Sequence, residues 1–351
     1  MEDFQNLMTG LVSFCLLVFA SWCVGEGGEI LGKKYDASII GGLVIAWLNT
    51  APETIFFISA LSSGNPKFAV GAVSGSTIVV CTVALGACLW IGARARGSGR
   101  IFLQHSVKSQ CYILAASTVI PASIIAFSFN WVSCTVGLVF YFLFLIYSLQ
   151  GSKNEGKHSE DIEAGEQDSD DEEEESTTKG VLFLCLGGIL IFVFSNPFIN
   201  AVVATAFSWR ISPTLLAFFL APIASEAPEI LESISLSRKG NSQSINIAFS
   251  NLVGGTITKT TLLCSVFCFY GLTKEYAWES PNYTISMTLL IISAATAASI
   301  GGFFQSQTAN HGIVLFVLFA FTGLVQYFCN GSLADIPPEV TEAIEQTVAV
   351  S

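Results

Sequence analysis

Glu53 and Glu229 each follow a proline inside a stretch apolar enough to lie in a bilayer, and the two stretches read alike. Asn49-Thr50-Ala51-Pro52-Glu53 recurs 176 residues later as Ser225-Glu226-Ala227-Pro228-Glu229. An ionised carboxylate at mid-bilayer costs about 2.5–3.5 kcal/mol on insertion scales, so a chain that carries one there has a use for it. Each proline removes a backbone N–H and clashes with the preceding turn. In a membrane this frees a carbonyl, that of Leu48 before Pro52 and of Ala224 before Pro228, which must find another partner. Together with Thr50, Ser225 and the carboxylates of Glu53 and Glu229, the two kinks offer hydroxyl, carbonyl and carboxylate oxygens. A hard cation such as Ca²⁺ takes about six to eight of these. Two carboxylates neutralise one such ion.

The elements that must position these residues are transmembrane helices. Of the 351 residues 52% are hydrophobic and only 12% charged, and the mean hydropathy is +0.63. That balance describes a polytopic membrane protein rather than a soluble domain. The formal charge of −12 is local. Residues 151–179 hold twelve acids against Lys153, Lys157 and Lys179, a balance of −9 that leaves −3 for everything else, and no basic patch invites nucleic acid. The ten cysteines have no CxxC pairing and read as small apolar residues. Met1-Glu2-Asp3 lacks the basic start of a cleavable leader, so the apolar run that follows is expected to be an uncleaved first span.

Apolar runs of bilayer length fall at 7–28, 38–61, 68–93, 110–129 and 131–149, then at 180–206, 212–236, 245–272, 284–303 and 312–330. The fold expected is all-α, ten spans in two halves of five. Residues 1–150 form the first half, 151–179 an acidic disordered loop, 180–330 the second half and 331–351 a short tail. With the N-terminus exoplasmic, the cytosolic loops collect Lys33, Lys34, Arg94, Arg96, Arg100, Lys108, Lys153, Lys157, Lys179, Arg238 and Lys239. The other side holds only Lys67, Arg210 and Lys274. The positive-inside rule therefore places both termini exoplasmic or lumenal and the acidic loop in the cytosol. The sequons at Asn282 and Asn330 fall on the lumenal side of the same arrangement.

Five crossings separate the two Pro-Glu helices, so they run in opposite directions, and the halves are inverted repeats that face their equivalent residues near the midplane. The repeat extends beyond the motifs. Gly64-Asn65 matches Gly240-Asn241 at the same offset. After a short insertion Gly75-Ser76-Thr77-Ile78 matches Gly254-Gly255-Thr256-Ile257 at an offset of 179.

These motifs resemble the cation/Ca²⁺ exchanger superfamily, the sodium/calcium-exchanger membrane region, whose repeats carry a Gly-Thr-Ser-x-Pro-Glu/Asp helix followed by a Gly-Ser-Asn-type helix. Gly71 to Ile78, Ser225 to Glu229 with Gly254-Gly255-Thr256, and Gly25-Glu26-Gly27-Gly28-Glu29 are similar to its plant sodium/calcium exchanger-like branch. The resemblance covers nearly the whole chain and implies a ten-helix antiporter with alternating access. It carries an ion-ligand role onto Asn49, Thr50, Glu53, Ser76, Ser225 and Glu229. It also exposes departures. Where many sodium-coupled members place Asn or Asp four residues after the motif's serine, this chain has Val80 and Lys259, and Glu226 stands where relatives carry a hydroxyl. Lys259 is expected to pair with Glu226 and leave Glu53 and Glu229 for the ion, the alternative being a lysine that snorkels to an interface.

The function expected is secondary active antiport of Ca²⁺ or a related divalent cation, with H⁺ preferred over Na⁺ as countersubstrate because valine cannot coordinate an ion and an ammonium repels one. A Na⁺/Ca²⁺ exchanger, a passive cation channel and a non-transporting relative are the other readings. No hydrolytic or covalent enzyme motif and no cofactor is expected. The partners are membrane lipid, Ca²⁺, and H⁺ or Na⁺, with a vacuolar-type endomembrane or the plasma membrane equally suitable and the oligomeric state open. Glu26, Glu29 and Glu232 are candidates for gating or approach, or for solvated helix ends. The acidic run from Asp168 to Glu175 lacks EF-hand spacing, unlike the plant branch. His105, His158 and His311 form no ligand grouping.

Overall fold

The computed structural model describes residues 2–34, 53–159, 170–209, 211–278 and 281–330. The described chain is almost wholly helical. In order it forms α1 (Glu2–Lys34), α2 (Glu53–Ser62), α3 (Pro66–Val79) and α4 (Leu85–Ala95). There follow α5 (His105–Ser117), α6 (Val119–Phe127), α7 (Trp131–Ser159), α8 (Asp170–Ser208) and α9 (Pro213–Arg238). The last are α10 (Ser242–Thr258), α11 (Cys264–Thr273), α12 (Asn282–Phe303) and α13 (Ala309–Asn330). A single π-helical turn, Val80–Ala84, joins α3 to α4, and a second, Lys259–Leu263, joins α10 to α11. Among the described residues seven helices are long and apolar enough to cross a membrane, and eight if the bent α9 is one span. Two shorter apolar helices, Asn6–Ala20 and Glu53–Ser62, lie in the first and second expected spans.

The structure adds detail to two expectations. The all-α reading omits one two-residue ladder, in which β1 (Arg100–Ile101) pairs antiparallel with β2 (Gln307–Thr308). It ties the loop after α4 to the loop before α13 and satisfies backbone groups that an open loop would leave to water. The acidic linker is also not uniformly without structure, because α7 runs to Ser159 and α8 begins at Asp170. The run from Asp170 to Glu175 occupies the first turns of α8. Residues 160–169 lie outside the described residues, as does the tail from 331.

The bundle has two ends that side-chain and backbone contacts define. At one end β1 pairs with β2, and a Cβ on Gly240 would press against the carbonyl of Ala95. At the other, the Tyr276 hydroxyl donates to the Leu61 carbonyl at 2.6 Å. The span from Pro66 to Ala95 therefore starts beside Leu61 and finishes beside Gly240, and the span from Ser242 to Thr273 runs the opposite way. The turn between α6 and α7 is short. Ser128 takes a φ of 56°, and the Asn130 side chain caps α7 by accepting from the Ser133 N–H at 2.7 Å.

Packing follows the same two-part order. α1 lies along α8, α3 packs on α12 as α10 packs on α5, and α4 packs on α13 as α11 packs on α7. Two apolar cores result. One gathers Phe56, Phe57, Phe68, Phe198, Phe267 and Tyr283, and the other Leu85, Leu89, Ile101, Ile245, Phe249 and Leu252. α3 gives Phe68 to Val73 to the first and α10 gives Ile245 to Ile257 to the second. The outer helices turn large apolar residues outward, with Phe192 73% and Phe328 78% exposed. Such faces are suited to lipid, where apolar side chains lose nothing by exposure.

α3 crosses α9 closely. Gly71 and Gly75, one turn apart, lie on the backbone carbonyls of Thr214 and Phe218, also one turn apart, and a Cβ on either glycine would collide with carbonyl oxygen. Small residues at such spacing let membrane helices approach closely. Backbone cannot swing aside as a side chain can, so Gly75→Ala is expected to cost about 1–3 kcal/mol. The measurement is the melting temperature of the purified protein in detergent. A variant that melts with the wild type would place Gly75 off the crossing.

Candidate ion-binding site

The crossing of α3 and α9 sets Ser76 opposite Glu226, and α10 supplies Lys259 from the first residue of the second π turn. A π turn widens the helix by one residue and is frequent at functional sites. Lys259 is 1% exposed, so its ammonium does not reach an interface, and the snorkelling alternative is excluded. Its Nζ lies 2.7 Å from Glu226 Oε2 and 3.0 Å from Glu53 Oε2, and it donates to Ser76 Oγ at 2.7 Å. The Ser76 hydroxyl donates onward to Glu226 Oε1 at 2.8 Å, and Ser225 donates to the same oxygen at 3.0 Å. Glu226 thus has both oxygens partnered. Glu53 Oε1 is buried and has no hydrogen-bond partner among the described residues.

Glu229 is 7% exposed, beside 3% for Glu53 and 2% for Glu226. It is one helical turn beyond Glu226, on roughly the same face of α9, and its Oε1 faces Gly255 of α10, where a Cβ would lie 3.2 Å away. α9 bends by 57° between Ala227 and Glu229, at Pro228. The bend follows from the missing proline N–H and its clash with the preceding turn. Three acids and one base therefore meet where α2, α3, α9 and α10 converge. With all three carboxylates ionised the group carries −2.

The sequence-based site set is distributed as follows. Glu53, Ser76, Ser225, Glu226, Glu229 and Lys259 are brought into one buried neighbourhood. Asn49, Thr50 and Pro52 lie outside the described residues. The expected pairing of Lys259 with Glu226 is present, but the ammonium also contacts Glu53, which the sequence reading had kept for the ion. The reason is geometric: the stem of Lys259 reaches between α2 and α9 and meets whichever carboxylates line that gap. Among the described residues no three His, Cys, Asp or Glu side chains converge as they would on a metal ion. Glu232 is exposed and Glu26 half-buried.

Sequence reasoning missed the two π turns. They occupy Val80–Ala84 and Lys259–Leu263, related by the same offset of 179 that relates Gly75 to Gly254. The apolar periodicity of a membrane helix carries no signal for one extra residue in a turn. Also missed were the ties around the site. Ser117 and Thr260 share a hydrogen bond of 2.7 Å, and Asn196 accepts from Ser59 at 2.9 Å and Ser63 at 2.8 Å, holding α2 to α8.

Comparison with known proteins identifies the family. The family model described as sodium/calcium exchanger protein matches residues 6–150 and 179–328. The chain belongs to that family. Among curated relatives, vacuolar cation/proton exchanger 5 of Arabidopsis thaliana is 21% identical over 319 residues, 84% of this chain and 68% of its own length. Sodium/calcium exchanger NCL2 of Oryza sativa subsp. japonica is 22% identical over 177 residues, 48% of this chain, which spans 30% of that longer protein. Among solved structures, the crystal structure of the H⁺/Ca²⁺ exchanger CAX superposes with a TM-score of 0.73 at 17% identity, covering 91% of this chain and 82% of that one. The exchanger family thus includes likenesses on both sides of the proton–sodium divide, and its members are transporters, not enzymes.

Removing one partner of a buried ion pair leaves an uncompensated charge and typically costs about 3–5 kcal/mol. Lys259→Met is expected to destabilise the protein by about this much, and Glu226→Gln with Lys259→Met by less than the sum of the single changes. A double-mutant cycle on thermal unfolding measures the coupling. Strictly additive losses would mean that the contact contributes nothing.

Proposed function

We propose that the chain is a secondary active antiporter that moves Ca²⁺ or a related divalent cation across a membrane in exchange for H⁺ by alternating access. The observation that carries this reading is the burial of Glu53, Glu226 and Glu229 in one neighbourhood, with Glu53 and Glu226 both on the Lys259 ammonium. A residual charge of −2 suits one divalent ion. Carbonyls freed at the prolines, with Thr50, Asn49, Ser225 and Ser76, supply neutral oxygens for its remaining coordination. Because an ionised carboxylate can hold either the divalent ion or a proton, the two occupancies exclude each other, which is what coupling requires.

The architecture proposed is ten spans in two inverted halves of five. It is supported by the opposite directions of Pro66–Ala95 and Ser242–Thr273, the matched π turns and the paired packing of equivalent helices. The end of the bundle near Arg94, Arg96, Arg100, Arg238 and Lys239 is then cytosolic, with both termini on the far side. Inverted repeats with a broken helix in each half place the ion near the midplane and rock around it.

Proton coupling is favoured over sodium by the occupants of two positions. Val80 and Lys259 stand where, in the resemblance drawn above, sodium-coupled members place amide or carboxylate ligands. Sodium coupling keeps a footing in the family description and in the rice relative's name. The experiment is ⁴⁵Ca²⁺ uptake into proteoliposomes with proton and sodium gradients imposed separately. Uptake against the Ca²⁺ gradient driven by protons is expected. Uptake driven only by sodium would replace the countersubstrate, and purely downhill flux would identify a channel. Glu53→Gln and Glu229→Gln should each abolish exchange, and normal flux in either would defeat the assignment of that residue.

A further inference from the structure

Lys259 is unusual for reasons that ion-pair stability does not exhaust. Its ammonium touches Glu53, Glu226 and Ser76 at once, with all four residues buried. Oxygens of two carboxylates and a hydroxyl around one positive centre are the surroundings of a small bound cation. Glu53 keeps a further buried oxygen, Oε1, without a hydrogen-bond partner among the described residues. The repeat sharpens the point. Val80 opens the first π turn as Lys259 opens the second, and Val80 is wholly buried and apolar. One of two equivalent positions therefore carries a fixed positive charge and the other carries nothing that can bind an ion.

We propose that the Lys259 ammonium is a tethered monovalent cation, holding as part of the chain the cation position between Glu53 and Glu226. This deepens the exchanger reading and rests on it for its consequence. A cation that is bound covalently cannot be exchanged, so the site takes its divalent cargo without a second inorganic cation and is indifferent to Na⁺ or K⁺ at that position. Charge balance fits, since three carboxylates less one ammonium leave the charge of a single divalent ion.

Shortening the side chain to alanine vacates the position, whereas methionine fills it with an apolar stem of similar length. The test uses the full chain purified in detergent and reconstituted into vesicles. Wild-type Ca²⁺ exchange is expected to be the same in choline and in Na⁺ or methylammonium medium. Lys259→Ala should exchange at least about tenfold more slowly in choline, with the rate recovering in millimolar Na⁺ or methylammonium, and Lys259→Met should stay slow in all three. Equilibrium binding of ²²Na⁺ in detergent should show one more Na⁺ on Lys259→Ala than on the wild type. A Lys259→Ala protein that exchanges at the wild-type rate in choline overturns the proposal. So does one that no small cation restores and that binds no added Na⁺. If Lys259→Ala does not fold, Lys259→Ala with Glu226→Gln removes both charges; its Ca²⁺ exchange should need no monovalent cation, and a requirement for one overturns the proposal. The ²²Na⁺ measurement is independent of flux. A wild type that moves no Ca²⁺ therefore sinks the exchanger reading while leaving the tethered cation to be judged on binding alone.

Discussion

An ammonium held between two carboxylates in an apolar interior is the contact around which the rest of this molecule is arranged. Neither the base nor the acids would be stable there alone, since an unpaired charge in such surroundings costs several kcal/mol. The pair is tolerated because each charge is met at hydrogen-bond distance and because Ser76 and Ser225 complete the coordination of Glu226. That demands close helix approach. The glycines of α3, resting on the backbone of α9, provide it, and the second π turn sets the angle from which Lys259 enters.

The scaffold around the site repeats while the site itself does not. Equivalent helices meet equivalent neighbours, and both long central spans carry a π turn at matching places. A pair of similar halves would by default make a pair of similar half-sites. Here the symmetry is broken at single residues, with Lys259 opposite Val80 and Glu226 opposite Thr50 in the repeat. Changes of this kind alter the charge of a site without altering the packing that surrounds it, so one architecture can serve different coupling ions.

The family matches and the structural likeness fall on both sides of the question of which ion is exchanged. At identities near 20% they report the fold, and a fold hosts several chemistries. The few oxygens and charges at the centre are the positions at which this chain departs from the patterns it otherwise resembles.

Much was legible in the residues alone. Spans of about 20 apolar residues, the recurrence of Ala-Pro-Glu at a fixed offset and the cost of a mid-membrane carboxylate pointed to a membrane carrier and to Glu53, Glu229 and Ser225, while the family resemblance added Ser76 and singled out Glu226. These signals are local or periodic, and a linear reading can detect them. Three-dimensional packing decided the rest. That Lys259 lies between Glu53 and Glu226 rather than on one of them depends on where α2 and α9 diverge. The strand pair joining two distant loops depends on which loops share an end of the bundle. The π turns depend on how crowded each helix is by its neighbours. Such features arise from contacts between residues far apart in the chain, each worth little by itself, and no periodicity along the sequence encodes them.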